Sequence, residues 1–166
     1  MRLDDGSFQP LNDGDPVSLE FPTQGGHVLY VAARIQNLAG RHALLLARLR
    51  DVATDFIVAQ DGRNVDFVVD AGGWGQPDLS DPANVANVPA CPDYQAKNIV
   101  GESWVLEVVV TDSRDAGAAL RQTVVPTCLQ PDGGALQQCL CECAANYFLG
   151  KCGVDAGIPD AGRDGG

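Results

Sequence analysis

Apolar and polar residues alternate along most of the first 126 positions. In "VSLEF" (17–21), Val17, Leu19 and Phe21 share one face. In "HVLYVAARIQ" (27–36), Leu29, Val31, Ala33 and Ile35 do the same. "HALLLARLR" sets Leu45, Ala47 and Leu49 against Arg48 and Arg50. A short "FIVAQ" (56–60) and "NVDFVVD" (64–70), with Val65, Phe67 and Val69 aligned, come next. The strongest run is "SWVLEVVVTD" (103–112), with Trp104, Leu106, Val108 and Val110 on one side, followed by "AALRQTVVP" (118–126). A period of two is the signature of a strand with one dry and one wet face. Turn-forming stretches, "NLAGR" (37–41), "DVATD" (51–55), "DGR" (61–63) and "SRDAG" (113–117), separate these runs.

Seven strand candidates in roughly 110 residues predict an all-β fold, a two-sheet antiparallel sandwich. The connection 71–98 is rich in Gly, Pro, Asp and Asn. It is too long for a hairpin loop, so it is expected to cross between sheets and to offer a place for a binding surface. Residues 1–15 read as a flexible leader, 16–127 as the sandwich, 128–153 as a Cys-rich tail, and the Asp/Ala/Gly-rich residues 154–166 as a disordered linker or end.

The segment "WVLEVVVTDSRDAGAALRQTVV" resembles the last hairpin of immunoglobulin-like modules of the cadherin-like and polycystic-kidney-disease-like types. That resemblance implies an immunoglobulin-like module of a secreted or cell-surface protein. The antibody-type subclass is not matched, because no Cys precedes Trp104 on an early strand.

The chain has 166 residues, enough for one well-buried core. Its net charge of −11 repels polyanions, and no cluster of Lys and Arg offsets this locally, so nucleic acid is not an expected partner. The arginines of "RHALLLARLR" are expected to lie solvated on an outer strand face. No apolar run of 18 residues is present, so no transmembrane helix is expected. "MRLDDGSFQPLNDGD" holds no apolar stretch of the signal-peptide kind.

Six cysteines, Cys91, Cys128, Cys139, Cys141, Cys143 and Cys152, bear most directly on compartment. Their even number, with four in a tail lacking its own core, reads as a disulfide framework. The spacing lacks the paired Cys-x-x-Cys motifs of a zinc ribbon. An alternative is a metal-handling protein using Cys139, Cys141, Cys143 and Cys152. "CECAANYFLGKC" resembles the C-terminal half of epidermal-growth-factor-like modules, through Cys141, Cys143, Tyr147 and Cys152, with Asn146 at a turn position. That resemblance implies a Cys143–Cys152 bridge. A short helix competes locally: Leu136, Leu140, Cys143 and Tyr147 fall at helical spacing, with Gly150 as a C-cap, and would put Cys139 and Cys143 one turn apart.

No catalytic set emerges. His27 and His42 begin successive strands of an expected hairpin, so they would sit at opposite ends as ordinary surface residues. "GES" (101–103) is not a nucleophile elbow, and the Gly pairs carry no phosphate-loop pattern. The acidic turns at Asp51, Asp55, Asp112, Asp115 and 81–84 are explained by local hydrogen bonding rather than calcium. The resulting expectation is a non-enzymatic, extracytoplasmic binding or structural module, secreted or at the cell surface as in a bacterial lipoprotein. It needs no cofactor, and its partner is a protein or a surface polysaccharide.

Overall fold

The computed structural model describes residues 8–79, 81–92, 97–145, 147–148 and 151–152. Strands make up 48% of the described residues, with one short α-helix among them. The strands are β1 (Asp15–Ser18), β2 (His27–Val31), β3 (Ile35–Gln36), β4 (His42–Asp51), β5 (Ile57–Val69), β6 (Trp74–Pro77), β7 (Ala86–Cys91), β8 (Trp104–Asp112) and β9 (Gly117–Thr127); the helix is α1 (Gly133–Glu142). Seven strands form one sheet in the order β1-β9-β8-β4-β5-β6-β3, and β2 and β7 form a separate two-stranded sheet. The large sheet curls into a half-barrel, and the β2–β7 ribbon lies against its inner side. The all-β expectation holds at this level. In place of the expected two-sheet antiparallel sandwich stand a curled seven-strand sheet and a two-stranded ribbon, because β2 pairs with β7 rather than with β4, and β1 joins β9 in parallel.

Alternation decides which residues meet. Leu45, Ala47 and Leu49 of β4 stand beside Val110, Val108 and Leu106 of β8, and all three β4 residues are fully buried. Val65 and Phe67 of β5, Leu29 and Val31 of β2, and Val88 and Ala90 of β7 complete the core from the other side. Fully burying each such side chain contributes about 1.5–3 kcal/mol before entropy is charged. Trp104 starts β8 inside this core, and its indole N–H donates to the carbonyl of Ile99 at 3.1 Å, which settles the one polar atom that burial would strand.

Three local expectations change. "FIVAQ" and "NVDFVVD" are one strand of 13 residues: Asp61, Gly62 and Arg63 do not turn but pair with Ala47, Leu46 and Leu45. The unbroken ten-residue β4 offers a continuous ladder, which outweighs the turn preference of Asp-Gly. Asp61 and Arg63 then fall on the inner face, where they neutralise each other at 2.6 Å and Asp61 accepts the Asn87 N–H at 2.7 Å. The connection 71–98 crosses between the sheets as expected, but as paired backbone rather than a loop: it contains β6 in the large sheet, a single 3₁₀ turn at Pro82–Asn84 and β7 in the small one. The run 27–36 breaks after Val31, and Ile35–Gln36 pairs with β6 instead.

Helix α1 starts where Asp132 accepts from the N–H groups of Gly134 and Ala135, an N-cap that replaces two missing helical partners. The competing helical reading of the tail is therefore realised over 133–142. It stops before Tyr147, and Gly150 lies outside the described residues, as does the whole of 154–166.

Candidate functional site

All six cysteines pair: Cys91 with Cys143, Cys128 with Cys139, and Cys141 with Cys152. The Cys143–Cys152 bridge implied by the growth-factor-like spacing is thus replaced. The reason is the helix. Positions 139 and 143 lie one turn apart on its buried face, at 0% and 2% exposure, so both sulfurs point into the core and meet Cys128 and Cys91 there. Cys141 lies on the other side of the helix, where Cys152 reaches it. The Ile99 N–H donates to the Cys143 carbonyl at 3.0 Å and holds the helix end against the sheet.

His27 is not a surface residue. It is 1% exposed, because β2 belongs to the small sheet and α1 packs across its start. Its Nδ1 lies 3.1 Å from Glu142 Oε2, and its ring meets Phe21 edge-on at 5.5 Å. Burial pushes the imidazole below its usual 6.5, against the opposing pull of Glu142 and Glu20. His27, Cys139 and Cys143 gather within 4.8 Å. Metals take thiolates, and both sulfurs are bridged, so the cluster offers one free donor. The four-cysteine metal alternative likewise loses its thiolates to the three bridges. His42 is exposed and faces Asp66.

The acidic turns serve their own loops. Asp51 accepts from the N–H groups of Ala53 and Thr54 and from the Thr54 hydroxyl, and it pairs with Lys97. The Lys97 hydrogen bond, with those of Thr54, holds its carboxyl well below the usual range. Asp112 accepts from the N–H groups of Arg114, Ala116 and Ala39. Asp51 and Asp112 sit at opposite ends of the β4–β8 ladder, so they do not converge on one ion.

The outer-face arginines are organised rather than free. Arg48, Arg50 and Arg121 converge on Glu107 at 2.8–3.0 Å, and Asp55 joins from the β4–β5 turn. Burial alone would raise the Glu107 carboxyl. The hydrogen bonds from Arg48, Arg50 and Arg121 outweigh it and hold the group at about 2.

What remains is a cavity of about 810 Å³ on the inner side of the half-barrel. Its floor is Leu106, Val108 and Val110 of β8, with Ala118, Leu120 and Gln122 of β9 beside them in register. Leu29, Tyr30 and Val31 of β2 and the following Ala32–Ile35 make the facing wall, with Trp74, Gln76 and Pro77 of β6 at one side and Phe8–Leu11 at the mouth. Arg34 is the one ionic residue in the lining among the described residues. It stacks over Trp74 at 4.9 Å and is neutralised by Asp70 at 2.6 Å. A cavity of this size, mostly apolar with a few polar groups and no net charge, suits an uncharged apolar ligand or side chains.

The pattern along the chain did not announce this space, because Leu29, Val31, Leu106 and Val110 read as ordinary core. The available signal was size: Ala118 faces Val110 and Ala32–Ala33 lies opposite, so small residues stand where a filled sandwich needs large ones. No protein-family model matches the chain, and no curated protein and no solved structure is significantly similar to it.

Proposed function

We propose that the chain is a non-enzymatic binding module of an extracytoplasmic compartment, secreted or at the cell surface, and that the cavity is its binding site. The observation that carries this reading is the cavity itself: about 810 Å³, apolar and charge-balanced, bordered by a sheet that leaves it open on one side. Three disulfides suit an oxidising compartment. The strongly shifted carboxyls, Asp51 and Glu107, are spent on a turn and on an ion-pair network, and neither borders the cavity, which argues against acid–base chemistry there. Kinship with immunoglobulin-like modules is part of the proposal and rests on the β8–β9 hairpin.

The test uses Nile red, a neutral apolar dye, titrated against the native oxidised protein. Saturable one-to-one binding is expected. Leu120→Asp places a carboxylate at the cavity edge, at a position 58% exposed, so the fold tolerates it. It should weaken binding at least about tenfold. Absence of saturable binding, or equal binding by the variant, overturns the reading.

A further inference from the structure

Among the described residues, strand β9 pairs with β8 from Gly117 to Val124 and with β1 only at Val124–Thr127. The stretch Gly117–Gln122, about 20 Å long, therefore has an open edge. Hydrogen bonding fixes which residues point outward. The Asp112 N–H donates to the Ala116 carbonyl, so even-numbered residues of this strand bond toward β8. Thr123 bonds the other way, accepting from the Gly14 N–H and donating to Asp13. By the same alternation, Gly117, Ala119 and Arg121 direct their N–H and C=O groups away from the sheet. No strand among the described residues pairs with them. The even side chains, Ala118, Leu120 and Gln122, face the cavity.

The edge lacks the usual guards against strand addition: 117–122 holds no Pro and no bulge, and its one charge, Arg121, is held by Glu107 and Asp55 on the outer face. We propose that the cavity's occupant is an extended polypeptide segment of a partner, which adds as a strand to Gly117–Gln122 and sends alternate apolar side chains into the cavity. An unpaired row of backbone donors and acceptors beside an apolar floor fits an extended peptide better than a small molecule, because only a polypeptide repeats both groups at the strand spacing. A single strand fits better than a second copy. Asp13 and Gly14 close the lane at Thr123, and the turn of another molecule's β8–β9 hairpin would run onto them. The net charge of −11 favours a segment with neutral or basic flanks. This inference rests on the cavity being the binding site.

The probe is a capped octapeptide of alternating valine and threonine with a lysine at each end, titrated calorimetrically. Wild-type protein is expected to bind it. Ala119→Pro removes an outward N–H and leaves the bonds to β8 in place. It should weaken peptide binding at least about tenfold while leaving the far-ultraviolet circular dichroism of the protein unchanged. A second readout, amide exchange in the wild type, needs no variant: the amides of Ala119 and Arg121 should slow on peptide addition, and that of Leu120, already bonded toward β8, should not. Equal binding by Ala119→Pro, or no protection of Ala119 and Arg121, overturns strand addition. Wild-type protein that binds Nile red but not the peptide also overturns it and leaves the cavity reading standing; failure of both ligands removes both. A dimer without peptide, broken by Ala119→Pro, overturns the partner segment in favour of a second copy.

Discussion

Removing the Cys91–Cys143 bridge should cost more stability than removing the Cys141–Cys152 bridge. The bridge closes a loop of sequence separation 52, and in the chain-entropy model that constraint contributes about 4 kcal/mol. Both sulfurs are buried in the core, so Cys91→Ala with Cys143→Ala also leaves small voids worth about 1 kcal/mol. The sum is about 5 kcal/mol, a large part of the 5–15 kcal/mol that holds a typical domain. At about 2–4 °C per kcal/mol for a chain of this size, the melting temperature should fall by about 10–20 °C. The control is Cys141→Ala with Cys152→Ala. That bridge spans only 11 positions and encloses Phe148, which is 70% exposed, so its loss should fray the tail and spare the core. Tryptophan fluorescence on heating, without reductant, reads the difference, since Trp104 lies in the core. A Cys91/Cys143 variant that melts within about 3 °C of the parent, or above the Cys141/Cys152 variant, refutes the claim that α1 is stapled to the sheet by the long loop.

Non-reducing peptide mapping should link Cys91 to Cys143, Cys128 to Cys139 and Cys141 to Cys152, with an intact mass about 6 Da below the reduced value; a Cys143–Cys152 peptide would contradict the helix-directed pairing. Glu107→Gln should destabilise by about 1–2 kcal/mol at pH 7, a figure discounted for solvent screening of the network. Because the Glu107 carboxyl is lowered from 4.5 to about 2, this contribution is full above pH 4.5 and is lost as pH falls through about 2. Urea midpoints of parent and variant should therefore converge across that window, and a constant gap would refute it. In an NMR titration the His27 imidazole should protonate below 6.5, because burial favours its neutral form. Its contribution is present above 6.5 and declines as pH falls through the lowered value, and a midpoint above 6.5 would show that Glu142 dominates instead.

The strands with clean alternation, β4 and β8, were legible residue by residue, since one buried face and one wet face leave a plain period of two. Their pairing was not. Nothing in "HVLYV" (27–31) tells whether it joins the neighbouring β4 or the distant β7, because both choices bury the same side chains; non-local pairing decides it. Asp61-Gly62 reads as a turn until the length of β4 is known as a partner. The buried place of His27 follows from α1 packing over the start of β2, and the spacing within either segment carries no sign of it. The cysteine count pointed to oxidising conditions, whereas the pairing depended on helical phase, which a spacing match alone overlooked. The cavity was the least legible feature, because a strand that lines a void and one that fills a core share the same alternation, and only the small residues at 32–33 and 118–119 differ.

Methyl NMR of the oxidised protein titrated with Nile red tests the central claim most directly. The methyl resonances of Leu106, Val108, Val110 and Leu120, which line the cavity, should shift together and saturate with one dye per molecule. Those of Leu45 and Leu49, fully buried on β4 and outside the lining, should hold still. Saturating shifts confined to residues remote from the cavity, such as Leu129 and Leu140, or no saturating shifts at all, would contradict the account.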